Sequence, residues 1–185
     1  MVDEVVADAE ARMKKTIETL QRELSGIRTG RAAPALIEHI DVDYYGTSTP
    51  LNQLASISAP EPRLLAVQPW DRGSLGAIEK ALRGSELGLN PTNDGQVIRI
   101  AIPPLTEERR KALVKVVRQT TEEARVAIRN VRRDALSDIK ELLKEKAIGE
   151  DDERRAEQHI QELTNRYISE ADAIGKRKEA DVLEV

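Results

Sequence analysis

All eight prolines of this 185-residue chain fall between positions 34 and 104. An interior proline removes a helix hydrogen bond and clashes with the preceding turn, so long uninterrupted helices are confined to the two flanks. Both flanks carry the matching pattern. In the first, Val6, Ala9, Met13, Ile17, Leu20, Leu24 and Ile27 recur at steps of three and four, which predicts an amphipathic helix with coiled-coil-like spacing. It is expected to end near Gly30. In the second, projection of Leu105 to Lys146 at about 100° per residue gathers Leu113, Val117, Ala124, Ile128, Val131, Ala135, Ile139 and Leu142 on one stripe. Lys111, Lys115, Arg118, Arg125, Arg129, Arg133 and Lys140 fall on a different face, with Arg132 at the border. Thr106 suits the N-cap, and Glu107 and Glu108 suit the positive first turn. After a break at AIGEDDE (147–153), Ala156, Ile160, Leu163, Tyr167, Ala171 and Ile174 repeat the spacing in a third helix. Three compatible stripes predict an antiparallel three-helix bundle.

The segment from 31 to 104 has a different grammar. It holds every proline and six of the ten glycines, and its hydrophobic period shortens to two. Leu36, Ile40, Val42 and Tyr44 alternate with His39, Asp41 and Asp43, which reads as a half-exposed strand. YYGTSTP is expected to form a turn. QLASISA and RLLAVQPW read as short strands ended by proline. Asp71 is placed to cap a helix carrying Leu75, Ile78 and Leu82, and Val97 to Ile102 completes the set as a last strand. The fold class is therefore α+β. Residues 1–30 and 105–185 form the bundle, and 31–104 form an inserted β/α/β domain. Two connections join them, Thr29-Gly30-Arg31 and Pro103-Pro104-Leu105, and they are expected to act as a hinge.

Composition excludes several classes of function. There is no cysteine, hence neither disulfide nor thiolate chemistry. The opening MVDEVVADAEARMKK lacks a basic region followed by an apolar core, and no apolar run of about 18 residues occurs. Neither a signal peptide nor a membrane span is expected, which points to a cytoplasmic protein. A net charge of −4 hides a strong asymmetry, because residues 105–146 carry twelve basic and eight acidic groups while 147–185 carry six and eleven. Positive charge concentrated on one element favours contact with a polyanion more than the overall balance suggests.

Candidate chemical groups mostly dissolve on inspection. His39 and His159 lack metal-ligand spacing, and EDDE at 150–153 lacks the spacing of a calcium loop and suits a helix start. LGLNPTNDG has no phosphate-loop lysine pattern. No nucleophile, base or metal constellation is visible, so no enzyme and no cofactor are expected. Tyr44 reads as core, whereas Tyr45 and Trp70 are open between core and surface. Two functional classes remain: a nucleic-acid-binding factor using the basic face, or a coiled-coil module whose stripes are completed by another helix or by a second copy.

The strings IRTGRA (27–32), DYYGTSTPLNQLAS (43–56), LGLNP (87–91), IPPLTEERRK (102–111) and AIRNVRRDA (127–135) favour the first, because together and in this order they resemble bacterial ribosome recycling factors. The resemblance is collinear over the whole chain. Glu86, where the family pattern has aspartate, is a mild departure. The resemblance implies an L-shaped monomer that binds the post-termination 70S ribosome and, with elongation factor G and the GTP which that partner uses, splits it into subunits. It also implies that bundle arginines contact 23S ribosomal RNA of the 50S subunit. By motif these are Arg28 and Arg31 in IRTGRA and Arg129, Arg132 and Arg133 in AIRNVRRDA, with Arg132 foremost and with both sets expected on one bundle surface. The smaller domain is the implied contact for elongation factor G.

Overall fold

The computed structural model describes residues 1–184. In chain order its elements are α1 (Val2–Ser25), β1 (Asp41–Tyr44), β2 (Thr47–Pro50), β3 (Ala55–Glu61), β4 (Leu64–Pro69), α2 (Leu75–Arg83), β5 (Pro91–Asn93), β6 (Ile98–Ala101), α3 (Glu107–Lys144) and α4 (Glu150–Leu183). They group into two compact units: Met1–Thr29 with Thr106–Glu184, and Gly30–Leu105.

The first unit is a three-helix bundle in which α1, α3 and α4 all pack on one another. Side-chain pairs fix the directions. Arg12 reaches Asp134 and Glu10 accepts from Tyr167, while Arg118 meets Glu179 and Arg125 meets Asp172. With Glu23 and Thr120 lining one groove and Gln21 and Ile174 another, α3 is antiparallel to both other helices, and α1 and α4 are parallel. The expected stripes are the core: Met13 and Leu20 from α1, Ile128 and Ile139 from α3, and Ile160 and Ala171 from α4 are buried. The chain thus covers its own apolar stripes, and the reading as an incomplete coiled coil loses its basis.

Two details depart from the periodicity. α1 stops at Ser25 rather than near Gly30, and Ile27 is only half-buried. Ser25 Oγ donates to Arg22 O at 2.6 Å, and a serine that bonds its own backbone followed by Gly26 makes a poor helical turn. In α4 the buried position beside Ile174 belongs to Gly175, where an added Cβ would stand 2.5 Å from Thr121 Oγ1. There α3 and α4 approach too closely for any side chain.

The cap assigned to α3 is realised, whereas Asp71 caps the 3₁₀ turn before α2 rather than α2 itself. Thr106 Oγ1 accepts from Arg109 N at 3.1 Å at the start of α3. Asp152 Oδ2 accepts from Gly149 N at 3.1 Å at the start of α4, so the acidic cluster serves the helix terminus. Among the described residues no group of His, Cys, Asp or Glu is arranged to hold a metal ion, and no helix is long and apolar enough to cross a membrane.

The second unit has more strand than its sequence suggests. An antiparallel hairpin β1-β2 stands beside a four-stranded antiparallel sheet ordered β3-β4-β6-β5. The turn expected over YYGTSTP shrinks to Tyr45-Gly46, whose φ values of 51° and 84° suit a two-residue hairpin turn. TSTP is β2. β1 itself starts at Asp41, since Pro34–Leu36 form a 3₁₀ turn. His39 consequently lies exposed in the turn that follows, residues 37–39, rather than on a strand. The prolines sit where a missing donor is harmless: Pro60 on edge strand β3, Pro91 at the start of edge strand β5, and Pro69 at the end of β4. Leu65, Val67, Ile98 and Ile100 share one core cluster with Ile78 and Leu82 of α2, all without exposure. The incoming and outgoing chain segments both attach to the β3-β4 turn, through Ala32 N to Pro62 O and Ile102 N to Arg63 O, each 2.7 Å.

Candidate nucleic-acid interface

The arginines of α3 form a row because of their spacing. Arg118, Arg125 and Arg132 are seven residues apart, close to two helical turns, and stand along the flank that faces α4. Arg118 Nε donates to Glu179 Oε1 at 2.5 Å. Arg125 Nε donates to Asp172 Oδ1 at 2.5 Å, and its Nη1 to Glu122 Oε2 at 2.6 Å. The bond to Asp172, then that to Glu122, hold the Arg125 guanidinium in its charged form and raise its pKa. Arg132 breaks the sequence of carboxylate partners. Its Nη1 lies 3.5 Å from Gln161 Oε1, a neutral amide.

The neighbours of Arg132 are held more loosely than Arg118 and Arg125. Arg129 Nη1 is 3.6 Å from Glu122 Oε1, a carboxylate already engaged by Arg125. Arg133 is exposed and makes no hydrogen bond or ion pair among the described residues. Positive charge along α3 is therefore cancelled at Arg118 and Arg125, partly offset at Arg129 by the shared Glu122, and left over at Arg132 and Arg133. A guanidinium that is permanently charged and forked, and not consumed by a carboxylate, suits phosphate oxygens.

The other expected arginines are elsewhere. Arg28 follows the end of α1, and the antiparallel register, with Arg12 beside Asp134 and with Glu23, Thr120 and Glu123 lining one groove, carries it toward the end of the bundle where α3 begins. It does not join Arg129, Arg132 and Arg133. Its side chain is half-buried with Nε enclosed and unbonded. Arg31 is exposed and belongs to the second unit. The single arginine surface expected from the motifs is thus a cluster of three on α3. The reason is tertiary: helix register, which no local motif encodes, sets the level of Arg28.

The opposite flank differs in character. Between α1 and α3 runs an open groove of about 570 Å³ in which Lys15 stands with Glu23 and Glu123 over Leu20, Ala127 and Val131. Its mixed charge offers no single-signed field for a polyanion.

In the second unit the aromatic residues divide as the sequence left them. Tyr44 is half-buried against the small core, whereas Tyr45 and Trp70 are 76% and 68% exposed. Tyr44 and Tyr45 pack edge to face at 4.6 Å, and both hydroxyls donate to Asp71 Oδ2, at 3.0 and 3.4 Å. The Gly73 N–H, and after it the Tyr44 hydroxyl, hold the Asp71 carboxyl below its usual range. Asp71 caps the 3₁₀ turn that leads into α2.

A family model described as ribosome recycling factor matches residues 20–183. This chain belongs to the ribosome recycling factor family. Over the full length of both chains it is 69% identical to the ribosome-recycling factor of Thermomicrobium roseum and 56% identical to that of Carboxydothermus hydrogenoformans. A solution structure of a ribosome recycling factor superimposes with a TM-score of 0.75 at 46% identity, covering 100% of this chain and 98% of the other. A second solved structure, with a TM-score of 0.64 at 52% identity and full coverage of both chains, presents models for the T. thermophilus ribosome recycling factor and E. coli elongation factor G bound to the E. coli post-termination complex. Ribosome recycling factors are translation factors rather than enzymes, in keeping with a site built from arginines and amides.

Proposed function

We propose that this protein recycles post-termination ribosomes in the cytoplasm, binding the 70S ribosome as a monomer and separating its subunits together with elongation factor G, which supplies GTP hydrolysis. Family membership and a relative described in the company of elongation factor G on the post-termination complex support this reading. The observation that carries the binding site is the charge left over at Arg132 and Arg133, with Arg129 sharing Glu122 with Arg125, on a helix whose Arg118 and Arg125 are paired. Arg129, Arg132 and Arg133 contact 23S ribosomal RNA of the 50S subunit, and Arg28 and Arg31 make separate contacts. Such contacts position a protein on RNA by shape and backbone rather than by sequence.

Arg132→Ala tests the site. It should weaken binding to 50S subunits about ten-fold, the equivalent of about 1.4 kcal/mol, and flatten the salt dependence while helicity stays unchanged. Wild-type affinity across a salt titration would remove the proposal.

The two connections, Thr29-Gly30-Arg31 and Pro103-Pro104-Leu105, act as a hinge. Gly30 has φ +79°, where an added Cβ would meet Leu105 Cγ at 3.3 Å, and both connected segments leave the second unit beside the β3-β4 turn. Two adjacent short connections permit rotation while restricting separation. Because the chain has no cysteine, a cysteine pair placed across the connections can be cross-linked without background. Cross-linking should slow subunit splitting and leave 50S binding intact; splitting at the uncross-linked rate would show that rotation is dispensable.

A further inference from the structure

The row Arg118, Arg125, Arg132 presents three equivalent arginines to one antiparallel helix, and α4 answers with Glu179, Asp172 and then Gln161. The exception falls at the arginine that the interface needs most. Gln161 is exposed, and its own amide is oriented: Nε2 donates to Asn165 Oδ1 at 2.9 Å, which turns Oε1 toward Arg132. A glutamate here would have the same size and reach, but would form a salt bridge of the kind seen at the two preceding steps.

We infer that Gln161 is a positioning residue for Arg132: with Asn165 behind it, it aims the guanidinium from α4 while leaving its positive charge available to an RNA phosphate. The interface is accordingly a two-helix surface, with arginines from α3 and an amide pair from α4. This inference rests on the ribosomal RNA reading above. Its chemistry follows from the difference between the two kinds of partner. An amide oxygen accepts a hydrogen bond without adding charge, whereas a carboxylate would cancel the cation and compete with phosphate for the same fork. The long 3.5 Å separation suits a guide that must release the guanidinium to a stronger acceptor.

The test compares Gln161→Glu, Gln161→Ala and Arg132→Ala in the full chain, with binding to 50S subunits measured across a salt titration and helicity checked by circular dichroism. Gln161→Glu should weaken binding about ten-fold and lower the salt slope by roughly one phosphate contact, or about 0.7 to 0.9. Gln161→Ala, which loses only the aiming, should weaken binding about two- to three-fold with the slope unchanged. A role in packing would invert this order, because glutamate preserves the shape and alanine does not. Gln161→Glu with wild-type affinity and slope, or Gln161→Ala equal to or weaker than Gln161→Glu, would overturn the inference while a weakened Arg132→Ala left the RNA site standing. If Arg132→Ala binds as wild type, the RNA reading fails, and this inference with it.

Discussion

At the scale of single residues, the contact between Gly175 and Thr121 makes the sharpest demand. An alanine in a helix interior is ordinarily favoured over glycine by about 1 kcal/mol, yet at 175 its Cβ would lie 2.5 Å from Thr121 Oγ1 and 2.9 Å from Cγ2. Gly175→Ala should therefore destabilise the bundle, by about 1–3 kcal/mol as for overpacked cores, when followed by urea denaturation. Removing the obstructing atoms in a Thr121→Ala background should make the same substitution much less harmful. An additive pair of effects would contradict the contact. The site residues divide along the same line between local and tertiary information. A helical projection places Arg129 and Arg133 on the basic side of α3, with Arg132 at its border, from sequence alone. It is silent about Gln161, 29 residues beyond Arg132 on another helix, and about which arginines have already spent their charge on carboxylates. Arg28 shows the same limit, since only the register of α1 against α3 sets its height along the bundle.

At the scale of elements, the long helices were legible because each carries an apolar stripe sustained over several turns, and burial follows that stripe closely. The strands were partly hidden for a physical reason. β2 is TSTP and β5 is PTN, short polar segments whose strand state comes from pairing with β1 and β6 rather than from an alternation of their own. Helix starts were readable because caps are chemical: Thr106 serves α3 as its side chain predicts. Thr106→Ala should cost about 1 kcal/mol in denaturant unfolding of the bundle. Thr106→Ser and Thr106→Asp should restore most of it, as either keeps an acceptor for the Arg109 N–H. Helix ends were less legible, and the stop of α1 at Ser25 reflects a weak local competition rather than a hard break.

At the scale of the whole molecule, the carboxylates held below their usual range are unevenly placed. Asp94, held low first by the Val97 N–H, then by Arg99 and the Gln96 N–H, and Asp71 both belong to the second unit. In the bundle, Asp152 at the start of α4 is held low by the Gly149 N–H and then by Arg155. A carboxyl with a lower pKa in the folded state takes up a proton on unfolding, so its contribution is present above the ordinary value of 3.8 and fades as pH falls from there toward the folded values. Acidification below about 4 should loosen the second unit before the bundle, as read by segment-resolved amide hydrogen exchange. Asp94→Asn should blunt that acid dependence and weaken the β5-β6 turn at neutral pH. The scarcity of aromatic residues offers a direct way to follow this. The one tryptophan, Trp70, lies in the second unit, while nearly all helical residues lie in the first. Tryptophan emission and far-ultraviolet ellipticity therefore report on different halves of one unlabelled molecule, and a gap between their transition curves measures directly how far the two units fold independently.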